Sequence, residues 1–259
     1  MDLGLKGRKA IVCAASKGLG RGTAEALAAE GVDLVLCART KDVLESTAEH
    51  IRKTSVVTVT AIACDITTEA GRAAVLAACP APDILVNNAG GPPPGKFADF
   101  KLEDWRKAVE ANMLTPVALI QAVVGGMQGR GFGRIVNITS AAVKNPIASL
   151  ELSNGARAGL TGAVAALARQ TIAHGVTINA LLPGWHDTDR IRSSMAGRAK
   201  AAGVPYDDYV GKAVAETPAR RMGTIAEFGA AAAFLCSVQA GYITGQNILI
   251  DGGEFPGTM

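Results

Sequence analysis

Residues 9–30, KAIVCAASKGLGRGTAEALAAE, decide the fold of this chain. Residues 10–15 form a short apolar run typical of a fully buried parallel strand, and apolar positions then recur at helical spacing until Gly31. The glycines of the turn at 16–20 allow close backbone approach to a ligand, and the N-terminus of the next helix offers unpaired N–H groups to a phosphate. The stretch predicts a strand, a nucleotide-binding turn and a helix. A glycine pair in such a turn also occurs as a plain tight connection.

The same alternation of strand and helix patterns continues along the chain. Parallel strands need crossover helices, so the pattern predicts an α/β, doubly wound Rossmann fold with a seven-stranded parallel sheet and helices on both faces. A capping box at 224–227 opens the last helix. Further strands are predicted at 32–38, 56–63, 83–86, 134–138, 176–182 and 247–250, and helices at 41–53, 68–79, 102–128 and 152–173.

The chain has 259 residues and an apolar fraction of 49%, which suffices for a sizeable core. No linker, repeat or charge block interrupts the pattern, so we expect a single domain over residues 1–259. Residues 187–219 are the one stretch of doubtful order. We expect them to form a lid over the substrate.

Composition argues against several other classes of protein. The net charge is only +3 and aromatic residues make up 4%, so we expect no nucleic-acid partner. The apolar stretches contain charges or glycine well before about 18 residues, so we expect no membrane partner. The three histidines, His50, His174 and His186, are far apart in sequence, and we expect no metal site. The five cysteines form no C-x-x-C pair and indicate a reducing, cytoplasmic location.

Polar residues follow the predicted strands at their carboxyl ends, where ligands bind in parallel sheets. Strand one ends in the glycine turn, strand two in Arg39, and strand three in Asp65 and Ile66. Strand four ends in NNAGG at 87–91, strand five in Thr139 and Ser140, and strand six in Pro183 and Gly184. These residues predict one ligand crevice at this edge of the sheet.

Several of these motifs, in this order, resemble those of the short-chain dehydrogenase/reductase family. They are SKGLG at 16–20, NNAG at 87–90, Asn112, Ser140, PGWHDT at 183–188 and YITGQNILIDGG at 242–253. The resemblance covers the whole chain and is strongest to bacterial 3-oxoacyl-carrier-protein reductases. It implies hydride transfer between a nicotinamide cofactor and a small-molecule substrate, in a homo-oligomer that is a tetramer or a dimer.

The resemblance also implies which positions hold the cofactor. Four groups follow from it: Ser16, Lys17 and Leu19 along the pyrophosphate and adenosine; Asp65 and Ile66 beside the adenine; Asn88, Ala89 and Gly90 at the adenosine side; and Pro183, Gly184 and Thr188 at the nicotinamide carboxamide.

The end of the second strand indicates which dinucleotide is bound. An NAD-specific site places a carboxylate there, which accepts hydrogen bonds from the ribose hydroxyls and repels a 2′-phosphate. This chain has Arg39 at that point, and Lys17 adds a second cation in the glycine turn. Both side chains suit a 2′-phosphate, so we expect NADP(H). The alternative is that both are solvated surface cations.

The chain departs from the family pattern at two places. Ala14 stands where the family usually has glycine, in a turn that requires close backbone approach. The catalytic Tyr of the family, thirteen residues after Ser140, is Ser153, and its Lys, four residues further on, is Arg157. No tyrosine of this chain is followed four residues later by lysine.

The second departure concerns the proton that the reduced substrate needs. A serine hydroxyl is a much weaker acid than a phenol, and an arginine stays protonated, so it cannot pass a proton along as lysine can. Asn112 and Ser140 remain to orient a carbonyl or a water, and Arg157 remains to bind the nicotinamide ribose. The proton donors left open are water, a Ser140–Ser153 hydroxyl network polarised by Arg157, and His186. Tyr206, Tyr209 and Glu151 are further candidates.

Two hypotheses follow from this site. The first is an NADP(H)-dependent oxidoreductase that favours substrates needing little acid assistance, such as activated enones or imines, over plain ketones. The second is a nucleotide-binding protein, a sensor or subunit partner, that has lost hydride transfer.

Overall fold

Seven parallel strands form one sheet in the computed structural model, which describes residues 2–257. The strands are β1 (Lys9–Cys13), β2 (Asp33–Ala38), β3 (Val59–Ala63), β4 (Ile84–Asn87), β5 (Gly133–Ile138), β6 (Val176–Pro183) and β7 (Asn247–Ile250). Their order across the sheet is β3-β2-β1-β4-β5-β6-β7, and each neighbouring pair is parallel. The predicted doubly wound fold is therefore confirmed.

Helices cover both faces of this sheet. They are α1 (Gly18–Ala29), α2 (Lys41–Thr54), α3 (Glu69–Ala78), α4 (Leu102–Val109), α5 (Thr115–Gly129), α6 (Glu151–Thr171), α7 (Asp189–Ala202), α8 (Tyr206–Glu216) and α9 (Ile225–Cys236). Short 3₁₀ turns lie at Phe97–Asp99, Ala141–Val143, Ile172–His174 and Gln239–Tyr242.

Successive residues of a strand point to opposite faces of the sheet, and this places the core in two layers. Val12 packs in one cluster with Leu27 of α1 and Phe228 of α9. Its neighbour Ile11 packs in the other, with Leu119 of α5 and Leu160 of α6. Both faces of β1 are therefore buried, which accounts for its continuous apolar run.

Glycine lets α1 and α9 approach each other closely. A Cβ atom added at Gly22 of α1 would collide with the carbonyl group of Ile225, and one added at Gly229 of α9 with the carbonyl group of Gly22. This contact fixes α1, and with it the turn that precedes α1, against the sheet.

The predicted helix at 102–128 contains an irregular turn around Asn112. Between α4 and α5, Glu110–Leu114 is π-helical, and the Thr115 N–H donates to the carbonyl of Glu110, five residues back. Pro116 has no N–H, so it cannot donate to the Asn112 carbonyl as an α-helical residue would. The helix continues through this point, but Asn112 lies at its irregularity.

Residues 187–219 are more ordered than the sequence suggested, because α7 and α8 occupy most of the segment. Thr188 caps α7, its Oγ1 accepting a hydrogen bond from the Ile191 N–H. Gly203 ends α7 with φ of +68°, a conformation that favours glycine. These are ordinary helix start and stop signals.

The helical run Leu102–Gly129 is long and apolar enough to cross a membrane by length and composition alone. Core helices of soluble proteins meet the same criterion. Leu119, Ile120 and Val123 of this run pack against the sheet. The expected absence of a membrane partner stays a prediction.

Candidate active site

The turn between β1 and α1 leaves the N-terminus of α1 open to a ligand. No side chain caps this helix, so its first N–H groups carry a partial positive charge without a side-chain acceptor. A Cβ atom at Gly20 would collide with the carbonyl oxygen of Ala14 and would lie 2.8 Å from Asn88 Nδ2. This turn, with Ser16, Lys17 and Leu19 in it, therefore lies directly against the loop after β4 and fits a phosphate.

Ala14 adopts a left-handed backbone conformation, with φ of +49°. This conformation costs an alanine about 1–2 kcal/mol, because its Cβ approaches the following carbonyl oxygen. Alanine at this position is thus tolerated by the turn at a cost in strain, without loss of the turn itself.

Replacing Ala14 by Gly should therefore stabilise the protein. The relieved strain of about 1–2 kcal/mol exceeds the extra chain entropy of glycine, about 0.4–1 kcal/mol. We expect Ala14→Gly to raise the free energy of unfolding by about 0.5–1 kcal/mol, measured by urea titration. The control is Ala15→Gly, which only removes a buried methyl group and should lower stability. A less stable Ala14→Gly variant would show that the turn is unstrained.

The ends of β2 and β3 carry the two charged residues predicted beside the adenosine. Arg39 is exposed after β2. Asp65 follows β3, and hydrogen bonds from the N–H and hydroxyl of Thr67 hold the pKa of its carboxyl below the usual range, with a smaller contribution from the charge of Arg39. Ile66, half-buried, packs against the core beside Asp65. The carboxyl end of β2 is thus followed by a cation, Arg39, and not by a carboxylate.

The loop after β4 connects the cofactor edge with the centre of the site. Asn87 Nδ2 donates to Asn137 Oδ1 of β5 at 2.9 Å, which ties the ends of the two strands together. Beyond it, Asn88 contacts the glycine turn, the Ala89 carbonyl accepts from Arg157, and Gly90 is exposed. These three residues line the crevice between β1 and β4.

Ser153 and Arg157 lie one helical turn apart on α6 and form a pair. Arg157 Nε donates to Ser153 Oγ at 3.2 Å. The guanidinium also donates to the carbonyl of Ile138 at 2.9 Å and to that of Ala89 at 3.3 Å. Arg157 therefore bridges the loop after β4 and the end of β5 and holds Ser153 in place. Both residues are buried: 8% of the surface of Arg157 and 7% of that of Ser153 is exposed.

The charge of Arg157 lacks a counter-ion. Burial, together with the positive charge of Arg190, lowers the pKa of Arg157 to about 10, still far above neutrality. Among residues 2–257, no carboxylate forms a salt bridge with this guanidinium; Asp187 and Asp189, which precede Arg190 in the chain, pair with Arg192 and Lys17. A buried unpaired cation is costly, and negative charge placed next to it is stabilised.

Ser140 and Ser153 both have hydroxyl hydrogens available to a ligand. Ser140, just after β5, caps the 3₁₀ turn Ala141–Val143, where its Oγ accepts from the Ala142 N–H at 3.1 Å. The Ser153 oxygen likewise accepts, from Arg157. A hydroxyl that accepts from the protein in this way remains free to donate its own proton.

Asn112 is buried with half of its amide unsatisfied. Its Nδ2 donates to the carbonyl of Ala108 at 3.3 Å, whereas Oδ1 has no partner within the described chain. The π-helical turn packs tightly on α6, where a Cβ atom at Gly159 would lie 2.8 Å from Met113 Sδ. Asn112 is thus held against the helix that carries Ser153 and Arg157.

The structure does not bring His186 together with the serines. Its imidazole packs edge-on against Phe228 of α9, with 5.3 Å between ring centroids, and against Gly223. Nδ1 lies 3.4 Å from the Gly184 carbonyl, Nε2 has no partner among the described residues, and burial lowers the pKa of the ring. The neutral, enclosed imidazole has no hydrogen bond to Ser140 or Ser153, so its role as proton donor is not supported by this geometry and stays a prediction.

The other candidate donors have structural partners or lie at the surface. Glu151 Oε1 accepts from the Ser149 N–H, although its buried Oε2 has no partner in the part of the chain that the structure describes. Tyr206 is exposed and Tyr209 half-exposed, both on α8. No hydrogen bond connects any of them with Ser153 in residues 2–257.

The segment after β6 lies over the glycine turn. Pro183 ends the strand, and a Cβ atom at Gly184 would lie 2.7 Å from Asp251 Cβ. Thr188 packs on the turn, since a Cβ atom at Gly18 would lie 3.3 Å from Thr188 Cγ2. The start of α7 therefore packs against the turn that leads into α1.

Two contacts of α7 were missed by the sequence analysis. Lys17 Nζ pairs with Asp189 Oδ2 at 3.0 Å. Arg190 donates to the carbonyls of Gly91 at 2.9 Å and Pro92 at 3.2 Å. The sequence signal was Thr188, a helix N-cap residue. It would have placed Asp189 and Arg190 in the first turn of a helix that follows the predicted cofactor positions 183, 184 and 188.

A family model described as enoyl-(acyl carrier protein) reductase matches residues 13–254. The chain belongs to the short-chain dehydrogenase/reductase family. The family predicted from the sequence is thereby confirmed, and with it the assignment of the chain as an oxidoreductase.

Individual members of the short-chain dehydrogenase/reductase family are similar over nearly their full length. The 3-oxoacyl-[acyl-carrier-protein] reductase FabG of Escherichia coli is 30% identical over 98% of this chain and 99% of its own. The NADPH-dependent reductase BacG of Bacillus subtilis is 32% identical over 95% and 97%. The structure of L-sorbose reductase from Gluconobacter frateurii, complexed with NADPH and L-sorbose, superimposes with a TM-score of 0.92 at 30% identity, covering 98% of both chains.

Proposed function

We propose that this chain is an NADPH-dependent reductase of activated C=O, C=C or C=N compounds, in which Ser153 and Arg157 replace the Tyr and Lys of the family. The observation that carries the proposal is the buried hydrogen bond from Arg157 to Ser153 Oγ, formed by a guanidinium that has no counter-ion among residues 2–257. Such a cation favours a reaction in which negative charge develops on the substrate.

The cofactor assignment rests on this chain's residues and on its relatives. The uncapped α1 N-terminus fits a phosphate, and Arg39 occupies the position where an NAD-specific site would place a carboxylate. The B. subtilis relative is named an NADPH-dependent reductase, and the sorbose reductase was solved with NADPH. When bound, the reduced nicotinamide supplies the hydride that adds to the electrophilic carbon of the substrate.

The matched positions would hold this cofactor. Asp65 and Ile66, which follow β3, would flank the adenine, while Gly184 and Thr188 would meet the nicotinamide carboxamide; Thr188 packs on the glycine turn. We assign residues 187–219 as the lid of a single domain, because the start of α7 contacts the glycine turn.

Arg157 and the two serines would act on the reacting oxygen or its conjugated equivalent. Their O–H groups donate to it, and the guanidinium stabilises the negative charge that appears when hydride is added. In a C=O or C=N bond the pi electrons move to this atom; in an enone the pi electrons of the C=C bond form the enolate double bond and those of the carbonyl move to its oxygen. A proton from solvent, relayed by the serine hydroxyls, completes the reduction. Asn112, next to α6, orients the polar groups or a water.

The weak acidity of serine limits which substrates react well. A plain ketone gives a strongly basic alkoxide that needs a proton in the transition state, whereas an enone or iminium spreads or neutralises the charge. The site therefore suits activated substrates. The comparisons give no support for the alternative of a cofactor-binding protein without hydride transfer.

We infer that the chain forms a homo-oligomer, a dimer or a tetramer. Large apolar side chains are exposed on and beside α4 and α5 and again near the C-terminus, which supports subunit contacts at these places. They include Phe97, Leu102, Leu114, Phe234 and Tyr242.

We propose a cytoplasmic location. All five cysteines have free thiols, four of them buried, and burial raises the pKa of Cys236 to about 12. Protonated core thiols of this kind suit a reducing compartment.

The test of this function follows the oxidation of NADPH and of NADH by the purified chain over a panel of enones, imines and plain ketones. We expect turnover with NADPH, fastest with the enones or imines. Arg39→Glu should move the preference toward NADH by roughly 10- to 100-fold in kcat/KM, because a carboxylate repels the 2′-phosphate.

Lys41→Glu makes the same charge change on the next helix and serves as the control. The function would be refuted if NADPH bound, as measured by quenching of its fluorescence, while no compound of the panel was reduced. An unchanged ratio of NADPH to NADH in Arg39→Glu would refute the role of Arg39.

A further inference from the structure

Two guanidinium groups meet at one glycine of the active-site crevice. A Cβ atom at Gly91 would lie 2.8 Å from Arg190 Nη2 and 3.6 Å from Arg157 Nη2. Arg157 approaches from the buried side on α6, and Arg190 approaches from the exposed first turn of α7. The loop after β4 thus separates an inner and an outer cation.

The protein satisfies both groups with neutral oxygens alone. Arg157 donates to Ser153 Oγ and two backbone carbonyls, and Arg190 donates to the carbonyls of Gly91 and Pro92. Each guanidinium has five N–H donors, so each retains N–H groups beyond these bonds. Neither forms a salt bridge within residues 2–257, because the acids beside Arg190, Asp187 and Asp189, are paired with Arg192 and Lys17.

Both guanidinium groups lie within 4 Å of the same point, the Cβ position of Gly91, so their like charges repel each other. The guanidinium of Arg157 is also buried. Burial lowers the pKa of Arg157, and the positive charge of Arg190 lowers it further. An anion that accepted from the remaining N–H groups of both would offset this repulsion, and a carboxylate matches the planar fork of a guanidinium.

We propose that Arg157 and Arg190 bind a carboxylate of the substrate, so that the substrate class is a small oxo acid or unsaturated acid whose carboxylate lies close to the reducible bond. This inference rests on the proposed function. It favours the substrate over the cofactor as the source of the anion, because Arg157 is bonded to Ser153, next to the reacting atom, while Lys17 and the α1 N-terminus already offer a phosphate site.

The first test compares each acid with its uncharged ester. Pyruvate, acetoacetate and levulinate place the carboxylate at increasing distances from the ketone, and their methyl esters are the matched neutral substrates. We expect the chain to prefer at least one acid over its ester in kcat/KM. Arg190→Met should reduce this preference by roughly 10- to 100-fold, as for loss of a charge-assisted contact. Arg190→Lys should restore part of it.

Arg192→Met is the matched control, because Arg192 lies on the same helix and pairs with Asp187 at the surface. It should leave the preference unchanged. Preference for the esters in the unaltered chain, or the same change in both variants, would overturn the proposal.

The second test measures binding without turnover. Oxalate and malonate cannot be reduced, and their Kd for the chain, measured by calorimetry in the presence of NADP⁺, should rise roughly 10- to 100-fold in Arg190→Met alone. If Arg190→Met instead weakened NADPH binding and left the dicarboxylates unaffected, the anion would be a cofactor phosphate, and the proposal would be wrong. Dicarboxylate binding without reduction of any substrate would refute the proposed reductase and leave the carboxylate site standing.

Discussion

Replacing Arg157 by Met is expected to lower kcat/KM for NADPH-dependent reduction by about 100- to 1000-fold. This magnitude is typical for the loss of one preorganised group that stabilises developing negative charge. Arg157 is the buried cation bonded to Ser153, and its removal also frees Ser153 from the bond that orients it. The measurement is steady-state kinetics with the best substrate of the panel, beside the Kd of NADPH.

The stability of the same variant separates a chemical role from a structural one. Met removes three hydrogen bonds of Arg157, which is destabilising, and also removes a buried charge without a counter-ion, which is stabilising. We therefore expect the loss of activity to exceed the loss of stability in urea titration. Arg157→Lys, which keeps the charge, should retain more activity than Arg157→Met. Arg157→Met activity within a few-fold of the unaltered chain would exclude Arg157 from the reaction.

The double variant Ser153→Tyr, Arg157→Lys is expected to gain activity on plain ketones. General acid catalysis contributes about 100- to 10,000-fold, and a phenol beside an ammonium supplies the acid that serine lacks. Enones and imines should gain less, because they depend less on a proton in the transition state. Measuring kcat/KM for matched ketone and enone pairs gives the ratio of the two gains.

The control for this gain is Ser153→Phe, Arg157→Lys, which introduces the same ring without the hydroxyl. If it reduced ketones as fast as the tyrosine variant, the gain would come from packing and not from acid catalysis. No gain in the tyrosine variant, with NADPH binding intact, would mean that the proton is not limiting in this site.

The strands and their order along the chain were predictable because burial on both faces forces continuous apolar runs. Ile11 and Val12 face opposite clusters, so neither position of β1 tolerates a polar residue. The predicted start of β3 was wrong by three residues, since Val56 is fully exposed and β3 begins at Val59. In the sequence, an exposed apolar residue in a connection cannot be distinguished from the first buried residue of a strand.

The parts of the site that the sequence did not predict depend on contacts between distant segments. The π-helical turn at Asn112 follows from Pro116, but the effect of a proline near a helix start is normally benign. Arg190 reaches the site by its hydrogen bond to Gly91, which is about a hundred residues away in sequence. His186, on the predicted nicotinamide loop, packs against Phe228 of α9, a contact that the loop sequence alone does not predict.

The first turn of α7 has a consequence for the timing of turnover. Asp189 fastens it to Lys17 after β1, and Arg190 fastens it to Gly91 after β4, so it bridges the two strands between which the sheet reverses its direction of growth. A dinucleotide that enters or leaves between the ends of β1 and β4 has to break both contacts. Such opening steps often limit enzymes of this kind. With fast substrates we expect release of the oxidised cofactor to limit kcat. Added salt should increase the rate of release, because it screens the exposed Lys17–Asp189 pair.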